Sequence, residues 1–159
     1  MAFQTRGRDP LFDSDMQAAI EKRGKELIGI ALVVLGVAAV ALMGSYSADD
    51  PSFMLATDAP VQNLLGRVGA SIAAPMFMIL GMGSWGLAIA LLVWGFRFGL
   101  HHGEDRAVAR ALLMPIWMAV LSVYASTLSP GPEWGQGFGL GGHFGDTVLG
   151  VLLNILVLT

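Results

Sequence analysis

The sequence predicts an all-α, polytopic membrane protein with four transmembrane helices and an interfacial helix before the second. Three observations carry this. Apolar residues make up 55% of the chain and charged residues only 13%, where a soluble domain holds about 25% charged. The few charges cluster and leave long tracts with none. Lys and Arg also alternate between loops: five precede the first tract, three sit between the second and third, and only Arg67 remains elsewhere. By the positive-inside rule this places the N-terminus and the central linker in the cytoplasm.

Residues 1–26 are polar and mixed in charge, which predicts a loosely ordered cytoplasmic tail. They do not read as a cleaved signal peptide, because the first apolar run begins only at Leu27. The membrane domain then occupies 27–159. Its first crossing, 27–44, has 18 uncharged residues, about the minimum for a hydrocarbon core of roughly 30 Å. Lys22, Arg23 and Lys25 precede it, and Tyr46 follows it as an interface anchor.

The stretch from Asp49 to Phe98 organises the chain. It opens as an acidic loop with Asp49, Asp50 and Asp58, punctuated by Pro51 and Pro60. Asp58 is the expected helix N-cap, with Pro60 in the first turn. Val61, Leu64, Leu65, Val68 and Ile72 share one helical face, so an amphipathic helix is expected to lie in the interface. No charge appears from Val68 to Phe96. That length, about 44 Å as a helix, exceeds the bilayer core. A bend is expected at Pro75 or at Gly81, Gly83 and Gly86, within a second crossing assigned to 68–97. Trp94 and Arg97 mark its far interface.

The third crossing, 111–126, contains Pro115 and ends near the interface anchor Tyr124. A loop rich in Gly and Pro follows, and a fourth crossing, 144–159, is still apolar at Thr159. At about 24 Å the fourth is short, and the native protein is expected to continue into the cytoplasm.

Few residues suggest chemistry. A net charge of −3 gives no basic face for nucleic acid, and zero Cys excludes disulfides and thiolate sites. The Gly-rich loop lacks the Lys of a phosphate cradle and reads as a flexible or partner-binding loop. His101 and His102, beside Glu104 and Asp105, point in different directions on a helix and read as a solvated turn; His143 stands alone. Met76, Met78, Met82, Met114 and Met118 read as adaptable packing. Gly66, Ala70 and Ala74, and Gly86 with Ala90, form small-xxx-small series suited to close helix approach. Between their interface residues the first three crossings carry no ionisable group, which argues against a pump or coupled transporter. No catalytic, metal or cofactor residue is assigned.

The run DPSF…TDAPVQNLLGRVGA, Asp50 to Ala70, followed by an apolar segment closing on WGFRF, Trp94 to Phe98, resembles the N-terminal membrane domain of the FtsK/SpoIIIE DNA translocases. The resemblance implies a bacterial inner-membrane protein at the division septum. It implies a cytoplasmic hexameric motor that pumps double-stranded DNA, with ATP and Mg in that motor, and self-association as a hexamer. The motor motifs are absent from these residues, so neither enzyme activity nor nucleic-acid contact is assigned to them. Asp50, Pro51, Asp58, Pro60, Asn63, Gly66, Arg67 and Gly69 match the family's outer loop and interfacial helix, and the resemblance implies contact with other division proteins there. The competing expectation is a small self-contained membrane protein. It would be a structural subunit, or an oligomeric channel lined by Ser71, Ser84, Ser122 and Asn154.

Overall fold

The computed structural model describes residues 13–102, 107–132 and 134–157, with side chains omitted at 107–110. Those residues form five α-helices and no strand: α1 (Ser14–Gly44), α2 (Gly66–Leu80), α3 (Trp85–Gly99), α4 (Ala107–Ser126) and α5 (Gly142–Val157). A 3-10 turn, Gly81–Ser84, joins α2 to α3.

Helix α1 replaces the loose chain expected in the second half of the tail. It starts at Ser14 and runs unbroken into the first crossing. Pairs at helical spacing support its polar half, with Lys25 Nζ 2.7 Å from Glu21 and Arg23 donating to Glu26 at 2.8 Å. The side-chain hydrogen bond from Lys25 holds the Glu21 carboxyl below its ordinary value. The first twelve residues of the expected tail lie outside the described residues.

A separate helix does precede the second crossing, at different residues from those expected of the interfacial helix. Asp58 is not an N-cap: it is exposed in a non-helical stretch, and α2 begins only at Gly66, after Leu65. The cause is local. Carboxylate and amide side chains hold 62–65 in a tight turn, and Gly66, at φ +64°, swings the backbone into the helix. Ala73 and Phe77 of α2 pack on Leu42 and Met43, and Phe77 stacks on Tyr46 at 4.4 Å. These contacts fall within the last turn of α1, so α2 lies across the end of that helix.

The bend falls at Gly81, not at Pro75, around which α2 stays helical. Gly81 has φ +55° and ψ −131°, a conformation open to glycine. The break leaves Met82 N–H without a helical acceptor, and it donates to Leu140 O at 2.7 Å. The turn and α3 together span about 30 Å, enough to cross the core. The apolar stretch 66–99 is thus broken at Gly81 into α2 and a second piece that is long enough by itself.

Helices α1 and α3 pack antiparallel through glycine. A Cβ on Gly29 would sit 2.5 Å from Gly99 N, one on Gly95 2.6 Å from Val33 N, and one on Gly36 2.8 Å from the Leu92 side chain. Backbone therefore meets backbone, as in small-residue membrane contacts. Gly86 does pack closely, on Met118, as its small-residue series suggests. Only 22% of the apolar window of α1, and 28% of that in 66–99, is buried. A soluble core helix would be mostly buried; these helices turn their Leu, Ile and Val outward, as a lipid-facing bundle must.

Candidate functional site

Polar chemistry collects at the end of the bundle where α1 stops, here called the Tyr46 end. Its centre is Asp50, 3% exposed. The Asp50 carboxylate accepts from Gln62 N at 2.8 Å and from Asn63 N at 3.0 Å. Asn63, 5% exposed, donates Nδ2 to Leu42 O at 2.8 Å and accepts from Leu65 N at 3.1 Å. Ser45 Oγ donates to Ala41 O at 2.6 Å and accepts from Leu64 N at 2.9 Å. Ser45 N–H and Tyr46 N–H cap Ala41 O and Met43 O, and Leu42 O takes its partner from Asn63, across the loop that follows. Gly69 completes the lock, since a Cβ there would sit 2.1 Å from Asn63 Oδ1.

A second lock fastens the Gly-rich loop. Asp146 accepts from Ser126 Oγ at 2.8 Å and from Gly139 N at 2.8 Å. Ser122 Oγ donates to Gly141 O, and Trp134 Nε1 donates to Phe138 O at 2.7 Å. The loop, expected to be flexible or partner-binding, is thus hydrogen-bonded to itself and back to the helices between Trp134 and Gly142. Between it and the acidic loop lies a cavity of about 570 Å³, walled by Tyr46, Phe77, Trp85 and Trp134 and bordered by Asp49. Burial pushes the Tyr46 hydroxyl up; a 3.4 Å contact to Gln136 opposes this and the Asp50 charge adds to it.

The expected contact residues divide into two groups. Asp50, Pro51, Asn63 and Gly69 are buried and hold the chain's own fold, while Asp58, Pro60 and Arg67 are exposed and Gly66 makes the turn into α2. Around the exposed group stand Phe53, 92% exposed, and Leu64, 76% exposed. Sequence reasoning placed Leu64 on the apolar face of the expected amphipathic helix and gave Phe53 no role, although an apolar residue in a polar loop was a visible signal.

Of the anchors, Tyr46 is half-buried against Phe77, Tyr124 is exposed, and Arg97 lies 5.9 Å over the Trp94 ring at the opposite end. The proposed pore set is not assembled within the chain. Ser84 and Ser122 are fully buried with their hydroxyls on Gly81 O and Gly141 O; Ser71 is buried and Asn154 exposed. Asp146 was missed outright, being one charge inside an otherwise apolar tract. Glu104 and Asp105 lie outside the described residues. Among the described residues, no three His, Asp or Glu gather as metal ligands.

An all-helical bundle with lipid-facing helices and locked loops at one end is a polytopic membrane domain. The chain belongs to the FtsK/SpoIIIE family: the family described as "4TM region of DNA translocase FtsK/SpoIIIE" matches residues 21–159. It is 28% identical over 151 residues to a DNA translocase FtsK of Azospirillum brasilense, covering 94% of this chain and 24% of that protein. It is 33% identical over 135 residues to one of Bradyrhizobium diazoefficiens, covering 84% and 16%. A third, of Caulobacter vibrioides, is 31% identical over 132 residues, covering 80% and 16%. The chain thus spans less than a quarter of the length of these relatives. No solved structure matches it.

Proposed function

We propose that this domain anchors an ATP-driven double-stranded DNA translocase in the bacterial inner membrane and docks it to division proteins at the septum. The observation that carries the reading is the match across 21–159 to the membrane region of proteins named DNA translocase FtsK. In this reading ATP and Mg act in a cytoplasmic motor outside these residues, and the anchor assembles as a hexamer. The N-terminus and the segment after α3 face the cytoplasm, following the Lys and Arg distribution. The Tyr46 end then faces outward, and its exposed Phe53, Leu64, Asp58 and Arg67 are the docking surface. Two rigid locks suit that role, because a surface fixed before contact loses little entropy on binding.

The test is septal localisation of the full-length protein carrying a fluorescent tag. Phe53→Ser, Leu64→Ser and Asp58→Asn together leave both locks intact. They are expected to abolish septal enrichment while membrane abundance stays normal. Enrichment equal to the parent protein would overturn the docking role.

A further inference from the structure

At the end opposite Tyr46, helices α3 and α4 part company. Near the Tyr46 end they touch closely, since a Cβ on Gly83 would lie 2.7 Å from Met118 O and one on Gly86 2.7 Å from Met118 Cγ. Further along there is no such approach, and a crevice opens between them in two adjoining pockets of about 310 and 340 Å³. Ala90, Trp94 and Met114 line both pockets, and Phe98 lines the smaller one with Leu32 of α1. The walls of that smaller pocket are apolar throughout.

A cation stands over Trp94, which lines both pockets. Arg97 is one turn beyond Trp94, with its guanidinium 5.9 Å from the Trp94 ring centroid. Its Nε is buried and has no hydrogen-bond partner among the described residues, and neither has Nε2 of His101, in the turn just after α3. Buried donors without partners are rare and call for a ligand. The neighbouring acid, Glu26, is held by Arg23 at 2.8 Å. A dry slot beside a guanidinium whose Nε has no partner among the described residues matches one molecule present in every membrane: a lipid with an apolar tail and a phosphate.

We propose that the α3–α4 crevice is a binding site for an anionic phospholipid, with one acyl chain along Ala90, Trp94 and Met114 and the phosphate on Arg97. A second copy of the chain fits less well, because an apolar helix would fill the slot without offering Arg97 Nε an acceptor. The site rests on the membrane character of the domain and not on its role in division, so it stands whether or not the septal docking reading does. Basic pockets between membrane helices select anionic headgroups on the same physical ground.

The experiment is native mass spectrometry of the purified chain in neutral detergent, titrated with phosphatidylglycerol or with phosphatidylcholine of the same acyl chains. The parent chain is expected to retain phosphatidylglycerol preferentially. Arg97→Gln should weaken that binding about tenfold, to the level of phosphatidylcholine, while Arg97→Lys keeps part of the preference. Ala90→Leu, which fills the slot, should lower retention of both lipids. Equal phosphatidylglycerol retention by the parent and by Arg97→Gln would overturn the proposal. So would an Ala90→Cys variant that cross-links to a second copy in proteoliposomes, because the slot would then hold protein.

Discussion

Replacing Asp50 with Ala tests the lock at the Tyr46 end most directly. The substitution removes an acceptor from two backbone donors, Gln62 N at 2.8 Å and Asn63 N at 3.0 Å. Hydrogen bonds to a charged group contribute about 1.5–3 kcal/mol each, so the pair is worth about 3–6 kcal/mol in a fully dry site. The loop lies at the membrane surface, where water can enter and replace part of the loss, which favours the lower end, about 3 kcal/mol. The damage should spread through Asn63, whose backbone Asp50 holds and whose Nδ2 covers Leu42 O. Hydrogen exchange in detergent micelles reads this locally. The amides of Gln62, Asn63 and Leu64 should exchange on the order of a hundredfold faster, the equivalent of about 3 kcal/mol, while mid-α1 amides stay protected. A cycle with Asn63→Ala should be non-additive by at least about 0.5 kcal/mol, because the two side chains share one network. Unchanged exchange at 62–64 in Asp50→Ala, or full additivity with Asn63→Ala, would refute the lock.

Two further outcomes follow from single sites. Gly95→Leu should destabilise the domain by about 2–4 kcal/mol in a steric-trapping or thermal assay, since a Cβ there already meets Val33 N at 2.6 Å and Gly29 O at 2.9 Å; a neutral effect would mean that α1 and α3 do not meet through glycine. In a Tyr124→Phe background Tyr46 is the sole tyrosine, and its tyrosinate absorbance should appear only above the ordinary value of about 10. The raised value means that the folded state keeps its proton longer than the unfolded one. The associated stability is therefore complete below about pH 10 and lost as pH rises through the folded value. Ionisation at or below the ordinary value would show that Tyr46 is not buried against Phe77.

The sequence by itself determined the membrane character, the four apolar tracts and the family, because each rests on composition or on a contiguous run. Hydrocarbon demands unbroken apolar length, and that is written residue by residue. The run from Asp50 to Ala70 carried the family likeness for the same reason. Only the tertiary structure decided what Asp50, Asn63 and Asp146 do. Their partners lie 12 or 13, 21 and 20 residues away, and no local period encodes a carboxylate reaching a backbone amide across a loop. Local signals also misplaced the start of α2: Asp58 and Pro60 form a plausible cap, but two long-range bonds to Asp50 outweigh it and delay the helix to Gly66. Pro75 and Gly81 were equally good places to bend until Leu140 supplied an acceptor for Met82 N–H. Helix breaks are decided by where the freed backbone groups find partners, and that is a property of the folded bundle.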